Sequence, residues 1–168
     1  MYDPRVLANF ILDTADRRGL SITNMALHKI MFFAHGWSIG ERGKPLVSAT
    51  FEAWQHGPVM PIIYRQFSKF GRQPVRDRAT RVDVATGRDV LVEGALAPED
   101  AAFVERVTEM LGPVSALVLS DMSHEPGGPW DAVWNSRERV NPGMVIPHDL
   151  IANHFKQQAA GRKNAHVH

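Results

Sequence analysis

The stretch from Asn24 to about Gly40 constrains the fold more than any other part of the chain. It reads Asn-Met-Ala-Leu-His-Lys-Ile-Met-Phe-Phe-Ala-His-Gly-Trp-Ser-Ile-Gly. Leu27, Ile30, Met31, Ala34 and Trp37/Ser38 recur at helical spacing on one face, and Phe32 and Phe33 cover the opposite side. A helix that is apolar nearly all round is buried on several sides. It therefore predicts a central post against which the other elements pack. Ser21 and Thr23 supply its start signal.

The flanking chain supplies further helices. Asp3 followed by Pro4 is an N-cap with proline at the first helical position, and Gly19 is a stop. After the post, Glu41-Arg-Gly-Lys-Pro45 is a polar loop, and Leu46–Trp54 loosens into alternation, a short strand. Gly57-Pro58 reads as a chain break, with Pro61 opening a third helix that stops at Gly71. Thr80–Val84 and Asp89–Glu93 alternate around Ala85-Thr-Gly-Arg88, a peripheral hairpin. Pro98, Glu99 and Asp100 open a fourth helix with Phe103, Val104, Val107, Met110 and Leu111 as its core face. A fifth spans about Pro113–Ser123, with Val114, Leu117, Val118 and Met122 expected inside. Trp130 and Trp134 mark a short helix after Pro129. A last helix runs from about Pro147 to Gln158, with Leu150, Ile151 and Phe155 expected to pack inward. The expected class is mainly α (α+β). It is a single compact helical domain of about six helices over residues 1–158, with a short strand and a peripheral hairpin. Residues 159–168 are expected to be a mobile tail.

Composition removes several classes of function. With no cysteine, disulfides, thiolate metal sites and cysteine nucleophiles are absent. The 19 Lys+Arg against 18 Asp+Glu, net +1, argue against a large nucleic-acid footprint. Local basic spots remain at Arg17/Arg18, at Arg72, Arg76, Arg78 and Arg81, and at Arg162/Lys163. No apolar run approaches the roughly 20 residues of a membrane span, and no secretory leader pattern opens the chain. The expectation is a cytoplasmic protein without a membrane partner.

Catalytic and cofactor signatures are missing too. His28 and His35 lie two helical turns apart, roughly 10 Å, too far to chelate one ion by themselves. His154, His166 and His168 crowd the C-terminal end, and no His-Glu-x-x-His occurs. Ser120-Asp121 and Ser123-His124 can be drawn as a triad, but they sit together on one helix end. Neither Walker A nor Gly-x-Gly-x-x-Gly is present. The sequence thus predicts no catalytic residue, no metal and no cofactor.

Two polar clusters remain. One is Glu52, Trp54, Gln55, His56, Gly57 and Pro58; the other is Asp121, Ser123, His124, Pro129 and Trp130. Each sets a histidine at a chain break beside a tryptophan. They either satisfy loop backbone and fill core volume, or meet to form a recognition surface, which Trp favours. The candidate partner-binding residues are Glu52, Trp54, His56, Gly57, Pro58, His124, Pro129 and Trp130.

The combined motifs resemble a known family. Thr23-Asn24, Leu27, Lys29 and Phe32-Phe33-Ala34-His35-Gly36-Trp37 match its "T-N-x-x-L-x-K-x-x-(Y/F)-(Y/F)-A-x-G-W" helix. Gly43-Lys-Pro-Leu46 matches its "G-x-P-L" turn, and Phe51-Glu-Ala-Trp-Gln-His-Gly-Pro-Val59 its next segment. Ser123-His124 with Pro129-Trp130, and Ile151 with Phe155, match its C-terminal part. The chain resembles the Panacea domain, the SocA-like antitoxin or phage-associated GepA-type domain. His28 stands where that family has Gln, and the gap before Pro129-Trp130 is longer than usual. The resemblance implies a non-enzymatic antitoxin of a type II toxin–antitoxin pair. Such a protein binds and neutralises a cognate toxin, and SocA-like members also resemble adaptors that deliver it to an ATP-dependent protease such as ClpXP. A regulator binding DNA at its own operon is the first rival, and an enzyme using His56 or His124 the second.

Overall fold

The computed structural model describes residues 1–136 and 142–165. Its elements are α1 (Pro4–Arg17), α2 (Asn24–Arg42), β1 (Phe51–Trp54), β2 (Gly57–Val59), α3 (Pro61–Phe67), β3 (Thr80–Val82), β4 (Asp89–Leu91), α4 (Pro98–Leu111), α5 (Ala116–Ser123), α6 (Pro129–Trp134), β5 (Val145–Ile146) and α7 (His148–Ala165). The mainly helical class is as expected.

Helix α2 is the central post. The Thr23 hydroxyl accepts from the Ala26 N–H at 3.2 Å, and Gly43 closes the helix in the left-handed region at φ 65°. The helix therefore passes Gly40, which serves packing instead of termination. A Cβ at Gly36 would collide with the Phe155 ring, and one at Gly40 with the Phe155 carbonyl. The two glycines let α7 lie directly on α2. Leu27, Ile30, Met31 and Ala34 are fully buried, and the Phe32 ring meets Phe51 and Phe155 edge-on at 5.3 and 5.6 Å.

Gly57-Pro58 is not a chain break. Residues 57–59 pair antiparallel with β1, with Trp54 opposite Gly57 and Glu52 opposite Val59, around a Gln55-His56 turn. The sequence hides this strand, because it is three residues long and carries a proline that cannot donate to the ladder. Strand β5 adds to the other edge of β1, giving the order β2-β1-β5. Strands β3 and β4 form a separate two-stranded hairpin, as expected.

The expected inner face of α5 is reversed. Leu117, Val118 and Met122 are exposed at 70%, 49% and 40%, whereas Leu119, Ser120 and Ser123 are buried. The helix turns its small hydroxyls inward because they bond backbone carbonyls, as described below. Met110 and Leu150, also expected inside, are exposed. Helix α7 continues to Ala165, beyond the expected end near Gln158. No helix among the described residues is long and apolar enough to cross a membrane.

Candidate partner-binding site

The site is built on α2. Lys29 projects from it beneath β2 and is 1% exposed, and its ammonium donates to the Pro58 carbonyl at 3.2 Å. Burial disfavours the charged form and lowers its pKa to about 7. Gly57 is required here. Its φ is 109°, and a Cβ would stand 2.5 Å from both Lys29 Cε and Ser123 Oγ.

The Nδ1 atoms of His28 and His35 serve the fold. The His28 Nδ1 accepts from the Met60 N–H at 3.2 Å, and the His35 Nδ1 accepts from the Leu46 and Val47 N–H groups at 3.3 Å. Burial lowers their pKa values to about 3 and about 4, with the Lys29 charge adding to the first and His148 to the second. Each imidazole thus stays neutral and anchors the chain after β2 or before β1. Among the described residues no group of three or more His, Asp or Glu is arranged to hold a metal. His166 and His168 lie outside the described residues.

The two polar clusters meet. The Trp130 indole N–H donates to the Trp54 carbonyl at 2.8 Å. The Ser120 hydroxyl donates to the His56 carbonyl at 2.7 Å, fastening the β1–β2 turn to α5. The Ser123 hydroxyl donates to the Ser120 carbonyl at 2.7 Å. Both serines therefore spend their protons on backbone carbonyls, not on a histidine. The His124 ring stacks on Trp130 with centroids 3.6 Å apart and 15° between planes, and Trp134 stacks behind it at 5.7 Å. Burial, then the nearby Lys29 charge, lowers the His124 pKa.

The eight candidates divide by exposure. Gly57, Pro58, Pro129 and Trp130 are buried and hold the junction together. Glu52, Trp54 and His124 are half-buried, and Glu52 accepts from the Trp54 indole N–H at 2.8 Å. Of the eight, only His56 is exposed. Beside it lies the exposed apolar face of α5, Leu117, Val118 and Met122, with Trp134 39% exposed on the neighbouring α6.

Sequence reasoning missed Lys29 and Asp100. Asp100 has a fully buried side chain. It accepts from the Tyr2 hydroxyl at 2.6 Å, pairs with Lys44 at 2.9 Å and binds the Arg42 guanidinium. Burial opposes its ionisation, but these three donors outweigh it and draw its pKa down to about 2. Several arginines of the basic spots are likewise taken up. Arg18 pairs with Glu105 and Glu109 at 3.2 and 2.6 Å, and Arg78 with Asp13 at 2.7 Å and with Asp16.

The family model for the SocA-like antitoxin, Panacea domain, matches residues 27–131. This chain belongs to that family. The matched segment runs from the post through the β1–β2 hairpin to the Trp130 junction. Antitoxin SocA of Caulobacter vibrioides (strain NA1000 / CB15N) is 37% identical over 157 residues, which are 93% of this chain and 84% of that protein. No solved structure matches the chain. Family membership supports an antitoxin role and suggests a regulatory protein, not an enzyme.

Proposed function

We propose that this protein is the antitoxin of a type II toxin–antitoxin pair and binds a cognate toxin protein in the cytoplasm. The toxin rests on the surface formed by the β1–β2 turn, His124 and the outer face of α5. The observation that carries this reading is the junction of the two Trp/His segments through the Trp130–Trp54 hydrogen bond. It sets a rigid aromatic base under His124 and ties the turn that carries the exposed His56 to α6, while α5, bonded to the same turn, has an exposed apolar face. Partially exposed aromatic and methionine side chains on rigid elements suit a protein interface. The second half of the proposal is that the bound toxin is delivered to an ATP-dependent protease such as ClpXP. The family resemblance supports it.

Co-expression tests both halves. His56→Ala combined with Met122→Ser alters only exposed or half-exposed positions, so the fold is kept. Loss of toxin capture and of growth rescue, at unchanged melting temperature, is the expected result. Full protection by the double variant sinks the surface. For the adaptor, the toxin half-life is followed in cells with and without the protease. An equal half-life means neutralisation is steric alone.

A further inference from the structure

A second recognition feature adjoins the β1–β2 hairpin. A cavity of about 340 Å³ opens between α2, the β1–β2 hairpin and α3. Its polar floor is Asn24, His28 and Lys29, and its walls include Trp54, Val59 and Tyr64. That size and mixture, an apolar shell with a few polar groups, is typical of small-molecule sites.

The floor has unspent hydrogen-bonding capacity. His28 is 1% exposed, and its Nδ1 already accepts from Met60. The neutral ring therefore carries its proton on Nε2, which has no partner among the described residues. Asn24 is 6% exposed, and its Oδ1 has no partner either. Lys29 adds an ammonium that donates to the Pro58 carbonyl and carries two further N–H groups. Buried polar atoms are nearly always satisfied, so two orphans beside one buried cation call for an explanation. A donor, a cation and an acceptor lie side by side under aromatic walls. Tyr64 meets Trp54 edge-on at 4.8 Å, and its ring stands 6.3 Å from His28. Tyr64 is 40% exposed, so it forms the outer wall and can turn aside.

We propose that this cavity binds a small planar carboxylate that also carries a hydrogen-bond donor. The carboxylate accepts from His28 Nε2 and from Lys29, the donor reaches Asn24 Oδ1, and the planar body lies against the wall that the Trp54–Tyr64 pair forms. The cavity also borders Gln55 and His56, so it adjoins the proposed toxin-binding face at the β1–β2 turn, but its ligand chemistry rests on Asn24, His28 and Lys29 and is read out without the toxin.

Titration calorimetry of the purified full chain tests it with matched probes. Indole-3-acetate supplies the carboxylate, the ring and the N–H. Indole-3-acetamide removes the charge, 1-methylindole-3-acetate removes the donor, and acetate removes the ring. Indole-3-acetate is expected to bind at least ~10-fold tighter than each of the other three, the factor that about 1.4 kcal/mol represents. Tyr64→Ala, at an exposed position, is expected to weaken it several-fold, and Lys29→Met to abolish the preference for acid over amide. Absence of binding by indole-3-acetate, equal affinity for acid and amide, or acetate binding as well as the indole acid overturns the proposal. The probe comparison is made on the unaltered protein and decides the matter even if Lys29→Met does not fold.

Discussion

The Trp130 indole N–H reaches the Trp54 carbonyl at 2.8 Å, across 76 positions of sequence. One hydrogen bond thereby joins α6 to the end of β1. Trp130→Phe keeps an aromatic ring for His124 to stack on but removes the donor. Leaving a carbonyl without its partner costs about 1–3 kcal/mol. Chemical denaturation is expected to give an unfolding free energy lowered by that amount, read as a lower midpoint at unchanged slope. A midpoint equal to that of the native protein means the bond is incidental.

Gly57 makes a sharper case. Alanine there must adopt φ 109° and place its Cβ 2.5 Å from Lys29 Cε and Ser123 Oγ. Backbone strain and overpacking together predict a loss of roughly 2–4 kcal/mol. Gly87 is the control. It also has positive φ, but nothing lies within 4 Å of an added Cβ. Thermal melts should rank native above Gly87→Ala above Gly57→Ala, and equal melting of the two variants would contradict the crowding.

Lys29 couples stability to pH in the alkaline direction. Its pKa falls from 10.5 in the free side chain to about 7 when folded. The unfolded chain therefore binds more protons between those values, and stability rises with pH across that window. From pH 7 to pH 9 the gain is about 2 kcal/mol by linkage. Urea unfolding at the two pH values measures it. Lys29→Met should flatten the rise, and an identical slope in that variant would assign the effect elsewhere.

The two buried histidines act at acid pH. Both have folded pKa values depressed from 6.5, to about 3 for His28 and about 4 for His35. Their contribution is complete above pH 6.5 and is lost as pH falls toward the folded values. Between pH 7 and pH 5 each costs about 2 kcal/mol. Stability measured against that of His28→Gln should show a shallower acid limb for the variant. Parallel limbs would exclude His28 as a source.

The helices were legible where a cap or a period announced them. Asp3-Pro4, Thr23 and Pro98 each begin a helix as their chemistry predicts. The apolar periodicity of α2 located the core. Periodicity failed on α5, where Leu117, Val118 and Met122 look like an inner face. Ser120 and Ser123 won that face because buried carbonyls of the hairpin turn and of α5 itself needed donors. The candidate site was half legible. Its Trp and His residues stood out by type, and their meeting depends on a three-residue strand too short to carry a pattern. Lys29 was hidden because a lysine on an apolar helix reads as a solvent-facing gap, and only the fold puts β2 over it. Asp100 was taken for an ordinary first-turn acid, since its partners Tyr2, Arg42 and Lys44 come from distant parts of the chain.

Gly36 and Gly40 receive Phe155, so α2 is walled on one side by the C-terminal helix. The family-matched segment ends at residue 131, before that wall is made. During synthesis the post therefore emerges from the ribosome with an open apolar flank and stays so until α7 has cleared the exit tunnel. A chain truncated before α7 would present to chaperones and proteases the flank of α2 that Phe155 covers in the folded protein.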